Sequence, residues 1–405
     1  MAGQAKRPDG ALAAPLLIVL ALCGGFGPFA IDAYLPGLPA IAHDFGVPAS
    51  QAQLTLTGFL LALGLSQLVL GPLSDQTGRR RVLLVGLAGA AVASALCAVA
   101  PSIWVLIVAR ILQGAFGGAG VVLSRAIVAD LAEGIGVARA FSMLMSVQAL
   151  APVIAPIMGG LLVPTLGWRS VFWFLALLGV GMLVAAWIII PESLPSHERI
   201  TGGVGKAISD MLFLLRFRGY AAAVAMFIVS FGILFSYVSA SPFVLQRIVG
   251  LTEEQFSIVF TMNSLAILGS NLTNARLVAR MRPLDIATRA TPAMAAVVLW
   301  LTLAVLVFDV AGWAVIIGFF CLTVCIGFLF PNLSAVALEA SGSRRGAGSA
   351  LMGASQMTLA AAVAPLTGIG NGQSAVPMVV LMLVFVICQV VALLVLRTAP
   401  ESRTA

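Results

Sequence analysis

Two charged residues stand inside long apolar runs, where charge is costly. Arg110 lies in Ser102-Ile-Trp-Val-Leu-Ile-Val-Ala-Arg-Ile-Leu-Gln-Gly-Ala-Phe-Gly-Gly, and Asp32 lies in Gly24-Gly-Phe-Gly-Pro-Phe-Ala-Ile-Asp-Ala-Tyr-Leu-Pro. A charge at the centre of a membrane-spanning helix costs about 2.5–3.5 kcal/mol, so such residues tend to face an internal cavity and serve ion or substrate chemistry. The first run ends near Pro39 and the fourth begins near Ser102. At ~1.5 Å per residue this places both charges ~10–12 Å below the same membrane face, where they are able to meet. A nearby guanidinium favours the ionised carboxylate and desolvation opposes it, so substrate entry that shifts this balance would release a proton. Neither histidine, His43 or His197, falls in an apolar run. By elimination Asp32 is the expected proton carrier, with Arg110 the group that tunes it.

These residues need elements to hold them, and the composition says which. The chain has 405 residues, 61% hydrophobic and 9% charged, with a mean hydropathy of +1.10. A soluble protein has no way to hide so much apolar surface, so the bilayer is its solvent. A spanning helix needs ~20 apolar residues. Twelve such runs are readable: 14–38, 52–73, 82–100, 102–125, 139–163, 171–190, 219–242, 256–276, 286–308, 313–338, 349–369 and 375–396. The predicted fold class is therefore all-α integral membrane. The first run follows Lys6-Arg7 but has no convincing small-residue cleavage site after it, which reads as an uncleaved first helix. Placing the N-terminus in the cytoplasm puts nearly all of the 22 basic residues on the inside. Arg169 and Arg247 fall outside and Arg110 lies within the membrane. The positive-inside rule then gives cytoplasmic N- and C-termini. The same distribution, in short turns rather than on one face, argues against a nucleic-acid partner. The cysteines Cys23, Cys97, Cys321, Cys325 and Cys388 all lie in apolar runs; Cys321 and Cys325 share a helix face but have no acid or histidine near them in sequence, and no metal site is expected.

The longest polar stretch, 191–218, divides the chain into an N-terminal six-helix half, 1–190, and a C-terminal half, 219–405. Within the stretch, Gly205 to Phe217 alternates apolar and basic residues at helical spacing, which suits a helix lying on the cytoplasmic surface. The halves repeat weakly. Ala140-Phe-Ser-Met-Leu-Met-Ser-Val-Gln148 resembles Ser349-Ala-Leu-Met-Gly-Ala-Ser-Gln356. Ala155-Pro156-x-x-Gly159 matches Ala364-Pro365-x-x-Gly368 at the same offset. Pseudo-symmetric six-helix halves are a mark of secondary transporters, whose substrate site lies at the repeat interface near the midplane. Phe29, one turn from Asp32, is a candidate to line that cavity, together with Tyr34, Gln113, Phe235, Tyr237, Asn263 and Gln356. Aromatic walls with a few polar groups suit drug-sized ligands.

Between the second and third runs the chain reads Gly71-Pro-Leu-Ser-Asp75-Gln-Thr-Gly78-Arg79-Arg80-Arg81. Gly71 permits close helix approach, Gly78 a tight turn, and Asp75 accepts hydrogen bonds from arginines or a helix N-terminus. This string resembles the loop signature of the major facilitator superfamily. The resemblance implies that Gly71, Asp75, Gly78, Arg79 and Arg80 form a conformational latch, with Asp130, at the end of the fourth run, a charge partner. Arg110-x-x-Gln113-Gly114-x-x-Gly117-Gly118 puts Arg110, Gln113 and Gly117 on one helix face. It looks like the superfamily's helix-four motif, whose arginine is implicated in proton coupling. Ala151-Pro152-x-x-Ala155-Pro156-x-x-Gly159-Gly160 resembles the helix-five motif of the antiporter branch, with alanine where a glycine usually precedes the second proline. Its prolines and glycines bend the helix and admit close packing. Gly167-Trp168-Arg169 and Asp32-Ala-Tyr34-Leu-Pro36-x-Leu-Pro39 narrow the resemblance to the bicyclomycin and chloramphenicol resistance (Bcr/CflA) subfamily of drug:proton antiporters. It covers essentially the whole chain. Some multidrug relatives carry a second acid about two turns before the helix-one aspartate; here Cys23-Gly24-Gly25-Phe26-Gly27 has no carboxylate.

The resemblance implies a monomeric inner-membrane exporter of bacteria that exchanges inward protons for a small amphiphilic drug, such as a chloramphenicol-like or bicyclomycin-like compound, by alternating access. It needs no cofactor beyond the coupling proton. The rival reading is a facilitator-fold antiporter that exports a metabolite such as a sugar or an amino-acid derivative. A membrane sensor would need a soluble signalling domain, and no segment is long enough. An enzyme would need a His/Asp/Glu cluster near an interface, and direct ATP drive a Walker phosphate loop; neither is present in the sequence.

Overall fold

The computed structural model describes residues 12–132, 135–197, 199, 209, 211–308, 310–342 and 344–398. In hydrocarbon each backbone N–H and C=O must be satisfied within its own segment, which leaves helices as the outcome for apolar runs of this length. Among the described residues, twelve helical segments are long and apolar enough to cross a membrane. They comprise α1 (Ala14–Asp32), α2 (Ala49–Thr77), α3 (Arg79–Ala98), α4 (Ile103–Leu131), α5 (Ile135–Leu166) and α6 (Arg169–Ile189). After the polar stretch come α7 (Arg218–Phe243), α8 (Glu253–Leu277), α9 (Pro283–Leu306), α10 (Gly312–Ala340), α11 (Arg345–Thr367) and α12 (Val376–Thr398). Each coincides with one of the apolar runs to within a few residues. Of the stretch read as a surface helix, residues 205–208 and 210 lie outside the described residues; Met211–Leu214 is helical.

Local chemistry sets several helix ends. Ser102 caps α4 by accepting from the Val105 amide at 3.4 Å. Thr252 and Gln255 form a reciprocal capping box at the start of α8, with Glu253 and Glu254 in the first turn where the helix dipole favours them. The end of α1 is broken. Pro36 has no N–H to continue the ladder, and the chain passes through a tight 3₁₀ turn, Leu35–Gly37, before a short helix, Leu38–Asp44.

The chain forms two compact units, one built from Met1–Gly37 and Gly58–Val204, the other from Leu38–Thr57 and Gly205–Ala405. Within the first, α1 packs on α4, α5 and α6, while α3 packs on α4 and α6. Within the second, α7 packs on α10, α11 and α12, while α9 packs on α10 and α12. Each unit is thus organised around one helix, α1 or α7, with the same pairing scheme in both. The repeat reaches single residues. Gly118 of α4 leaves room for the Ser66 hydroxyl of α2, and Gly327 of α10 leaves room for the Ser270 hydroxyl of α8.

The unit boundary departs from a division at the polar stretch, because Leu38–Thr57 belongs with the second unit. Specific bonds hold it there. Gln53 Nε2 donates to the Ser239 carbonyl at 2.8 Å and to Thr367 Oγ1 at 3.1 Å. Thr57 Oγ1 donates to the Ala361 carbonyl at 2.8 Å, and Arg247 donates to the Pro39 carbonyl at 3.2 Å.

Candidate functional site

In the first unit, Arg110 is completely buried on α4. Its Nη1 donates to the Ala30 carbonyl of α1 at 3.1 Å and to Gln113 Oε1 at 2.6 Å. Gln113, one turn away and also completely buried, passes the chain of bonds on through Nε2 to Ser94 Oγ of α3 at 2.6 Å. Aromatic rings from α2, from α6 and from the turn after α1 surround the guanidinium. Its carbon lies 4.3 Å from the Tyr34 ring centroid, 4.2 Å from Phe59 and 5.8 Å from Phe172. A cation desolvated this thoroughly is held by ring quadrupoles as much as by hydrogen bonds. The helix-five motif completes the packing at the α1 break. A Cβ at Gly159 would sit 3.0 Å from Pro36 Cγ and against the Ala33 carbonyl, so only glycine admits this approach. Pro152 and Pro156 lie within α5, and Gly160 is buried beside Gly159.

Asp32 is the last residue of α1 and is 7% exposed. The expected meeting with Arg110 takes a different form. Arg110 grips the backbone two residues before Asp32 rather than its side chain, and no ion pair joins the two among the described residues. The depth comparison put the guanidinium at the right height. It did not anticipate that a main-chain carbonyl at the end of a helix offers a fixed acceptor there. Tyr34 and Gln113, proposed to line a cavity, lie 1% and 0% exposed in the Arg110 network. Phe29 instead faces Phe174, with ring centroids 5.9 Å apart. Where some relatives carry a second acid, Gly24 receives the amide of Gln148 from α5. Gln148 Nε2 is buried with no hydrogen-bond partner among the described residues.

The Gly71–Arg81 loop is the second cluster of the first unit. Gly78 takes a φ of +101°, a conformation that favours glycine, and turns the chain from α2 into α3. Arg79 forms an ion pair with Asp75, a second with Asp130 at 3.1 Å, and a hydrogen bond to Ser74 Oγ at 2.6 Å. Gly71 is not needed for close approach, because a Cβ there would find Val122 at an ordinary 3.8 Å. Sequence reasoning missed Glu192, just past α6. Its carboxylate accepts from the Arg79 amide at 2.8 Å and from the Arg80 amide at 3.3 Å, capping the N-terminus of α3 where negative charge is favoured. Ser193 adds a bond to Asp130 at 2.8 Å. The available signal was a lone acid at the end of α6, placed near a loop with three arginines.

In the second unit Asn263 Nδ2 donates to the Tyr237 hydroxyl at 2.9 Å. Tyr237 stacks on Phe260 at 5.6 Å and packs against Phe319 at 4.7 Å. Phe235 belongs to a separate aromatic group, 4.7 Å from Phe231. Gln356 is half-buried, with an Oε1 that is buried and unpartnered among the described residues. The structure therefore joins Tyr237 to Asn263 and Tyr34 to Arg110 and Gln113, and it keeps Phe29 and Phe235 in other clusters.

Among the described residues, twelve helices long and apolar enough to cross a membrane, two like-wired units, a fully buried arginine and this charged loop are the parts of a membrane transporter. The Major Facilitator Superfamily model matches residues 20–365. The chain belongs to the major facilitator superfamily. It is 37% identical over 384 residues to the MFS-type transporter YdgK of Bacillus subtilis, covering 93% of this chain and 94% of that protein. It is 29% identical over 379 residues to a bicyclomycin resistance protein homolog of Haemophilus influenzae, covering 93% and 94%. The multidrug resistance protein MdtL of Escherichia coli is 27% identical over 237 residues, 58% of this chain and 60% of that protein. These similarities agree with the Bcr/CflA resemblance read from α1, α4 and α5. Among solved structures, a D-xylose-proton symporter aligns with a TM-score of 0.75 at 15% identity, covering 96% of this chain and 99% of that one. That likeness speaks to the fold alone.

Proposed function

We propose that this transporter is a drug:proton antiporter of the bacterial inner membrane, with both termini in the cytoplasm. It exports a small amphiphilic antibiotic by alternating access and acts as a monomer with protons as its only coupling partner. The observation that carries the reading is Asp32: a carboxylate 7% exposed within a span, at the end of a broken helix, with no ion-pair partner among the described residues. An unpaired acid in such a place has reason to exchange its proton with the passage of substrate. The similarity to a bicyclomycin resistance protein homolog and to a multidrug resistance protein supports a drug as cargo. The unpartnered Gln148 amide beside Gly24 supports a cargo that is polar and uncharged at that position, such as a bicyclomycin-like or chloramphenicol-like compound. Arg110 holds the α1 backbone beside the acid, and the Asp75–Arg79–Asp130 cluster serves as the conformational latch.

The test is transport by purified protein in liposomes. An imposed pH gradient alone should drive accumulation of bicyclomycin or chloramphenicol, and an uncoupler should abolish it. Gradient-dependent movement of a sugar or an amino-acid derivative, with neither antibiotic carried, would favour metabolite export. Transport that ignores the gradient would refute proton coupling.

A further inference from the structure

A cavity of about 520 Å³ opens where three spans of the first unit end together. Ala13, Pro15 and Leu16 line it from the start of α1, Arg80 from the start of α3, and Trp187 to Glu192 from the end of α6. Two kinds of surface meet in it. Trp187 and Ile188 are 65% and 74% exposed on the outer face of α6, and with Leu16 and Ile189 they make an apolar wall. At the polar end, Arg80 Nη2 donates to the Trp187 carbonyl at 2.7 Å, and the guanidinium lies 5.8 Å from the Trp187 ring. Its Nε is buried with no hydrogen-bond partner among the described residues. A guanidinium has five N–H donors, and protein acceptors occupy few of these. Glu192, which lies beside it, forms no ion pair with Arg80 among the described residues; its carboxylate accepts from the Arg79 and Arg80 backbone amides at the head of α3.

We infer that this cavity is a binding site for one phospholipid, with the headgroup phosphate on Arg80 and an acyl chain along Leu16, Trp187 and Ile188. Three facts favour a lipid over a soluble anion. The cavity lies at the ends of spans, where headgroups sit. A tryptophan, the residue most at home at that depth, forms its rim. Most of its lining is apolar, which a free phosphate does not need. Basic pockets between spanning helices are known to hold anionic headgroups, and arginine matches phosphate oxygens with paired donors. Because Arg80 follows Arg79 directly and both amides share Glu192, a lipid here would bear on the first turn of α3 and so on the charged loop.

The experiment is native mass spectrometry of the delipidated full chain in detergent, titrated with dioleoyl phosphatidylglycerol, with inorganic phosphate as the competing arm. The parent should retain one lipid that survives millimolar inorganic phosphate. Arg80→Gln should weaken that binding by roughly tenfold, the loss expected for a charge-assisted hydrogen bond, while Arg81→Gln should leave it unchanged. As a second measurement needing no variant, a photoreactive phosphatidylglycerol should label the parent at Trp187 to Ile189 in preference to other span ends. Equal lipid retention by Arg80→Gln and the parent would overturn the inference. So would complete displacement by inorganic phosphate, or labelling spread evenly over the spans.

Discussion

Replacing Arg110 with alanine tests whether this residue anchors α1, as its bonds imply. The substitution removes two charge-assisted hydrogen bonds, to Ala30 and Gln113, worth about 1.5–3 kcal/mol each. It also removes contacts to the Tyr34 and Phe59 rings at 4.3 and 4.2 Å, roughly 1 kcal/mol each. Relief of the guanidinium's own desolvation offsets several kcal/mol of this. The net loss is about 3 kcal/mol, and a unit of this size should unfold roughly 6–12 °C lower. Free, buried thiols at Cys23, Cys97 and Cys325 report unfolding through a thiol-reactive fluorophore, in a Cys388→Ser background that removes the exposed thiol. Arg110→Lys should fall between alanine and the parent, since it keeps the charge and loses the planar fork. Arg110→Ala with the parent's melting temperature, yet no export, would refute the anchor and leave a purely electrostatic role at a distance.

Asp75→Asn removes one of the two carboxylates on Arg79; turnover in liposomes should fall several-fold while antibiotic binding in detergent changes little, and equal loss of both would argue against a latch. Gly120→Ala should cost about 1–3 kcal/mol by overpacking, because its Cβ would sit 2.9 Å from the Cys23 backbone carbon. Gly181→Ala, which meets nothing within 4 Å, should be neutral or slightly stabilising on the same thermal assay.

Much of the fold was legible because lipid allows few alternatives. Apolar length set every span to within a few residues, but the first run reads through to residue 38, and the break that follows Asp32 at Pro36 was not foreseen. Gly78 and the arginines after it identified the loop, since that φ suits glycine. What the sequence hid was set by side chains that meet across helices. The assignment of Leu38–Thr57 to the second unit depends on Gln53 reaching Ser239 and Thr367, residues far away in the chain. The aromatic enclosure of Arg110 draws on Phe59 and Phe172, which look like ordinary lipid-facing residues in their own runs. Glu192 was missed because capping is a matter of proximity, and the residue it caps is 113 positions away. Ser94 was missed for the same reason: a serine in an apolar helix carries no signal until Gln113 is seen to need an acceptor.

The central claim is that Asp32 carries the proton exchanged for drug. The most direct measurement is proton release when bicyclomycin or chloramphenicol is added to detergent-solubilised protein in weak buffer, followed with a pH dye. The parent should release protons in proportion to the drug bound. Asp32→Asn should bind drug, remain folded by the thiol assay, and release none. Proton release by Asp32→Asn equal to the parent's would contradict the account and assign the coupling to another group.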